Sequence, residues 1–291
     1  MHIINFNKSY TKKLYNFIKN SEPHGYIDWV FEYNYFENYV NESPKNIILI
    51  FSDLSLQNIS GYCLVENKET LGFTQLNFSL IDKNYSNITK IINFLRKNSI
   101  ITNNKIIITS NEKEKNLVSS LSKKGWRKIR KFYKLVKTPN DSFMTNKIKN
   151  FVINKISEKD SEQLTNLQNK AFNNHWGYEK NTCSKIRYEI CQNHNKIFIS
   201  RNNDYSILGY VWIKDLEKYR SKINMLGIEP NFEGNGLGKS LISYAIKNET
   251  KTGKKKIILD VDSENIKAQR LYGQLGFKKF QTLTWWEKKL F

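Results

Sequence analysis

The residues of this chain with the clearest capacity for chemistry lie in one run, Ile228-Glu229-Pro230-Asn231-Phe232-Glu233-Gly234-Asn235-Gly236-Leu237-Gly238-Lys239-Ser240. Glycines at alternate positions let the backbone curl so that several N–H groups point into one concavity. A helix expected directly after them adds the positive end of its dipole, which suits a pyrophosphate. A Walker A loop needs Gly-x-x-x-x-Gly-Lys-Ser/Thr, but Glu233 stands where its first glycine belongs. A Gly-x-Gly-x-x-Gly dinucleotide fingerprint would need its third glycine at Lys239. A plain flexible turn before a helix is the alternative.

A second run follows, Leu259-Asp260-Val261-Asp262-Ser263-Glu264-Asn265-Ile266-Lys267-Ala268-Gln269-Arg270-Leu271-Tyr272-Gly273-Gln274-Leu275-Gly276-Phe277. Asn265 stands just before a helical pattern, the place of an N-cap. Ala268, Leu271, Tyr272 and Leu275 share a helical face, so core packing is open to Tyr272 as well as chemistry. Upstream, His175-Trp176-Gly177-Tyr178 reads as an aromatic cluster with wet edges at a helix end. His2, His24 and His194 have no companions at ligand spacing, so no metal site is expected. Cys63, Cys183 and Cys191 are odd in number and form no Cys-x-x-Cys pair, which argues against a disulfide framework and for a reducing cytoplasm.

These runs need elements to position them. In the C-terminal half, strands are expected at 151–156, 196–200, 207–214, 222–228, 255–261 and 279–288, with helices at 161–173, 185–192, 238–248 and 265–275. A polar Asn-Asn-Asp turn at 202–204 joins two of the strands, and Pro230 stops another. The N-terminal half repeats this plan. At a constant offset of 151 residues, Lys105-Ile106-Ile107-Ile108 matches Lys256-Ile257-Ile258-Leu259, and Gly125-Trp126-Arg127-Lys128-Ile129 matches Gly276-Phe277-Lys278-Lys279-Phe280. Gly61-Tyr62-Cys63-Leu64 resembles Gly209-Tyr210-Val211-Trp212 at a slightly different offset. The fold expected is α/β, a mixed sheet flanked by helices, in two tandem domains, 1–140 and 150–291, linked within the polar stretch 138–150.

A chain of 291 residues with 39% hydrophobic residues can close a core in each half. No segment approaches the ~20 apolar residues of a membrane span, and the first twenty residues lack a signal-peptide core. The net charge of +20 is spread evenly: residues 1–150 hold 23 Lys/Arg against 12 Asp/Glu, and residues 151–291 hold 24 against 15. A solvated basic surface accounts for most of it. Lys123, Lys124, Arg127, Lys128, Arg130, Lys131, Lys134 and Lys137, around Trp126, Phe132 and Tyr133, are a candidate contact for an acidic partner such as nucleic acid.

The second run closely resembles the GNAT superfamily pattern of a strand followed by Asn-x-x-Ala-x-x-Leu-Tyr-x-x-x-Gly-Phe. The glycine loop resembles that family's Gln/Arg-x-x-Gly-x-Gly motif, with Gly236 and Gly238 as its glycines and Glu233 in place of Gln or Arg. The tandem layout resembles mycothiol synthase. The resemblance implies acetyl-CoA, or a related acyl-CoA, as donor, with no metal. Backbone at Leu226, Gly227 and Ile228 would pair with the pantetheine arm. Glu233, Gly234, Asn235, Gly236, Leu237, Gly238 and Lys239 would hold the pyrophosphate. Asn265 would reach the pantetheine, Tyr272 would protonate the departing thiolate, and His175, Trp176 and Tyr178 would meet the acceptor. For the base that deprotonates the incoming amine, Asp260, Glu229 and an ordered water chain stay open. Asp260 matches a carboxylate of ribosomal-protein N-terminal acetyltransferases, whereas Lys222 stands where mycothiol synthase has its carboxylate.

The function expected is N-acetyl transfer to a primary amine on a small molecule or peptide, with the N-terminal domain a degenerate copy. At the 151-residue offset, Lys83 to Asn87 replace Gly234 to Gly238, Leu121 replaces Tyr272 and Glu114 replaces Asn265. Action on tRNA, and non-catalytic binding of acyl-CoA or nucleic acid, are the alternatives.

Overall fold

The computed structural model describes residues 1–20, 28–81, 83, 85–139 and 151–290. The expected linker at 138–150 lies almost wholly outside them, as do Asn84 and His24. Contacts divide the chain into two compact units, Met1–Tyr133 with Gln281–Phe291, and Lys134–Phe280.

In the first unit, β1 (His2–Asn5), α1 (Thr11–Asn20), α2 (Tyr33–Glu42), β2 (Ile47–Phe51), β3 (Ile59–Lys68), β4 (Phe73–Leu80), α3 (Ile88–Lys97), β5 (Lys105–Asn111), α4 (Lys115–Lys123) and the start of β6 (Arg127–Lys137) follow in order. β1 to β4 pair antiparallel in sequence, and β4 then pairs parallel with β5. Both faces of this sheet are covered. Alternate residues of β2 therefore enter different cores: Ile47, Leu49 and Phe51 pack with Leu14, Ile18 and Phe36, while Ile48 and Ile50 pack with Ile91, Leu95, Leu117 and Leu121.

The second unit repeats the plan with β7 (Ile153–Lys155), α5 (Ser161–Phe172), α6 (Cys183–Ile190), β8 (Asn195–Arg201), β9 (Ile207–Glu217), β10 (Arg220–Ile228), α7 (Leu237–Lys251), β11 (Lys256–Asp262), α8 (Ile266–Gln274) and the start of β12 (Lys278–Lys289). β7 to β10 pair antiparallel in turn, and β10 pairs parallel with β11. Leu164 and Leu167 of α5 and Ile186 of α6 bury Ile197, Ile199, Tyr210 and Trp212 on one face. α7 covers β8, β9 and β10 with Leu241, Ala245 and Ile246 among its buried residues.

Each unit is thus a mixed sheet flanked by helices, as expected. The helix starts, Ile88 and Leu237, differ by 149 positions rather than 151. The counterpart of the glycine loop is therefore the short 3-10 turn Tyr85–Asn87, two residues from the place that the sequence offset suggests. Part of the basic cluster is committed inside the chain. Arg127 pairs with Glu287 at 2.9 Å, Lys124 Nζ donates to Ser86 O and Thr89 Oγ1, Lys128 lies over the Trp286 ring, and Lys134 and Lys137 are buried. All three cysteines are free thiols. No described helix is long and apolar enough to cross a membrane, and among the described residues no three His, Cys, Asp or Glu gather as a metal site would require.

Candidate functional site

The second unit's sheet opens where the sequence places its chemistry. β10 and β11 pair through four rungs, ending at Ile223↔Leu259, yet both strands run on, to Ile228 and Asp262. A register shift between Ile223 and Met225 bulges β10 at Asn224, and such a bulge bends a strand away from its neighbour. Beyond the bulge, Leu226, Gly227 and Ile228 stay paired to Val211, Tyr210 and Gly209, so their other edge faces the gap. An extended chain entering the gap can use that edge as a strand would. Gly227 has a local reason too: a Cβ there would lie 2.3 Å from Tyr210 Cε1.

At the end of β10, the 3-10 turn Pro230–Phe232 leads into the glycine loop. Gly234 and Gly236 have φ of 82° and 87°, a left-handed conformation that side chains resist, and α7 starts at Leu237 with Gly236 as its N-cap. No side chain caps this end, and the N–H groups of its first turn have no helical partners. A curled backbone at a helix start fits a pyrophosphate. Glu233, the residue departing from the family motif, pairs its carboxylate with exposed Lys267, which offsets its charge beside the loop.

On the other side of the gap, Asn265 caps α8, its Oδ1 accepting from Ala268 N at 3.0 Å. The N-cap alternative is therefore present, and the amide nitrogen of the same side chain stays available to a ligand. Tyr272 is 8% exposed and sits edge-on to Phe277 at 5.9 Å. Burial pushes its pKa up to about 12, so the phenol carries its proton throughout the neutral range. Packing against Phe277 and a retained phenolic proton coexist in this residue. Asp260 Oδ2 is held by Lys222 in a buried ion pair. Glu229 pairs with half-exposed Lys170 of α5 and is the more accessible carboxylate, its side chain 23% exposed against 4% for Asp260.

His175, Trp176 and Tyr178 lie in the connection between α5 and α6. Phe172 packs at a tilt against His175, with ring centroids 4.9 Å apart, and against Tyr178 at 5.5 Å. A polar network ties this segment down: Tyr178 Oη donates to Asn169 Oδ1 at 2.7 Å, and Asn181 Nδ2 donates to Gln168 Oε1 at 2.9 Å. Gln168 in turn reaches Met225 Sδ at 2.8 Å, which brings the segment against β10 just after its bulge. The sequence alone did not single out Gln168, Asn169, Asn181, the pairing of Lys222 with Asp260, or the bulge. A signal existed for Gln168, a polar residue on the apolar stripe of Leu164, Leu167 and Phe172. For the pairing of Lys222 with Asp260, and for the bulge, there was none.

A model of the Acetyltransferase (GNAT) family matches residues 161–277. A mycothiol acetyltransferase of Propionibacterium freudenreichii is 24% identical over 169 residues, 54% of this chain and 53% of that protein. Another, from Actinosynnema mirum, is 32% identical over 75 residues, 26% of this chain and 25% of that one. The chain spans about half the length of the first of these relatives. A GCN5-related N-acetyltransferase from Sphaerobacter thermophilus has the same fold, with a TM-score of 0.73 at 11% identity over 99% of this chain and 95% of its own. So does a tandem GNAT protein from the clavulanic acid biosynthesis pathway, at 0.71 and 8% over 99% of this chain and 98% of its own. Residues 161–277 form a domain of the acetyltransferase (GNAT) family, in a chain whose fold is that of tandem GNAT proteins.

Proposed function

We propose that the protein is an acetyl-CoA-dependent N-acetyltransferase, acting in the cytoplasm on a primary amine of a small molecule or peptide, with its working site in the second unit. The observation that carries this reading is the parting of β10 and β11 directly before the glycine loop. The gap offers a strand edge to the pantetheine arm, and the loop and the start of α7 offer N–H groups to the pyrophosphate, in the order in which acetyl-CoA carries these groups. When bound, acetyl-CoA supplies the activated acyl group. Leu226 to Ile228 orient the arm, and Glu233 to Lys239 hold the phosphates. Tyr272 keeps a proton for the departing sulfur, and Asp260 accepts the proton of the amine, with Glu229 guarding the outer end of β10. The aromatic segment at His175, Trp176 and Tyr178 faces the acceptor. The mycothiol acetyltransferase relatives favour a small-molecule acceptor over nucleic acid.

Melting the protein with acetyl-CoA, then following free thiol release across a panel of primary amines, tests this reading. A raised melting temperature and amine-dependent release are expected. Stabilisation without turnover on any amine would leave a binding module, and the absence of both would overturn the proposal.

A further inference from the structure

A buried ion pair is a costly way to fill a core, because two charges leave water and apolar residues of similar volume hold a fold at least as well. Lys222 and Asp260 are such a pair, their side chains 10% and 4% exposed. The fold itself does not require it. In the first unit the parallel strands part after Leu76↔Ile108, as they part after Ile223↔Leu259 in the second. There, the positions of Lys222 and Asp260 are taken by Gln75 and Thr109, both neutral and both buried. Of the two units, the charged pair belongs to the one that also carries the glycine loop.

The pair is one-sided. Lys222 Nζ takes Asp260 Oδ2, while Oδ1 is buried and accepts no hydrogen bond. A buried carboxylate oxygen with no donor is rare enough to ask for one, and Asp260 stands one residue past the last rung, Ile223↔Leu259, where the strands part. Lys214 faces Lys222 across β9 and β10; burial lowers its pKa, Glu189 of α6 raises it in part, and the Lys222 ammonium lowers it again.

We infer that Lys222 is a positioning residue: by taking one oxygen of Asp260 it fixes the carboxylate so that Oδ1 meets the attacking nucleophile. The inference rests on the transferase reading with Asp260 as base. In that step the amine nitrogen bonds to the thioester carbon and its proton passes to Asp260 Oδ1. The C–S bond breaks, and the thiolate takes a proton from Tyr272.

The test is a double-mutant cycle on the full chain, following thiol release from acetyl-CoA with water and with the fastest amine of the panel. Lys222→Met and Asp260→Thr are each expected to lower kcat by roughly 10²-fold without changing KM for acetyl-CoA. The double variant should be no slower than Asp260→Thr, because the effect of Lys222 on the rate passes through Asp260. Lys222→Arg should restore most of the rate. Should Lys222→Met fail to fold, Lys222→Gln, which carries the residue used in the first unit, replaces it with the same expectation. Multiplicative losses in the double variant, or a full rate without the ammonium, would overturn the inference. A fully active Asp260→Thr would instead remove Asp260 as the base, and no enzyme-dependent release by the parent chain would remove the transferase reading. The Asp260 and parent measurements thus tell these failures from that of Lys222.

Discussion

On the proposed reading, substitutions at Gly238 and Tyr272 test donor binding and chemistry separately. A Cβ on Gly238 would meet Leu271, Leu226 and Ile228 at ordinary distances of 3.6 to 3.8 Å, so Gly238→Val should leave the melting temperature nearly unchanged. The added branches would still crowd the backbone face offered to a pyrophosphate. The Kd for acetyl-CoA by isothermal titration should rise by roughly tenfold or more, equal to about 1.4 kcal/mol. Gly236→Val is the poorer test, because its φ of 87° adds about 1–3 kcal/mol of strain to any lost contact. Tyr272→Phe removes the hydroxyl and keeps the ring against Phe277. If the phenol is the acid, kcat should fall by ~10²–10⁴-fold with acetyl-CoA affinity unchanged. An unimpaired Phe variant would leave Tyr272 as a packing residue.

At the scale of elements, the junction before β8 carries a pH dependence. Burial, and next the Lys214 ammonium, lower the His194 pKa to about 4 from its usual 6.5. The unfolded chain therefore takes up this proton near pH 6.5 and the folded chain only near pH 4. The contribution of neutral His194 is complete above pH 6.5 and is lost as pH falls toward 4. Melting temperature should decline across that window, and His194→Gln should make the decline shallower. An unchanged slope would show that other groups dominate. Element types and order were legible in the sequence because apolar periodicity reports burial. Both faces of each sheet are covered, however, so the central strands read as continuous apolar runs whose register the pattern leaves open.

For the whole molecule, we expect one acetyl-CoA per chain. Where the second unit has its glycine loop, the first has a 3-10 turn whose Tyr85 is 4% exposed and packs against Phe78 in the core. That turn offers no glycine curl to a phosphate. Leu121, buried in α4, stands where α8 carries Tyr272. Isothermal titration of the full chain should give a stoichiometry of one, and a value of two would overturn this. A fragment ending near residue 140 is not a fair test, because Gln281–Phe291 belong to the first unit, where β12 pairs with β5 from Leu283↔Asn111 to Lys289↔Lys105.

What the sequence determined by itself was local: glycines at alternate positions before a helix, an N-cap Asn, a Tyr on a buried helical face, and a plan used twice. Each depends on residues close in the chain, where spacing alone carries the physics. Tertiary structure decided what depends on neighbours brought from afar. Lys222 and Asp260 are 38 positions apart, and their pairing follows from the register of two parallel strands joined through α7. The parallel strands part just past Ile223↔Leu259, beside a bulge at Asn224 set by the pairing of β10 with β9. The last strand completes the sheet of the first unit because its antiparallel partner is β5, a partner that no local pattern in residues 281–291 names.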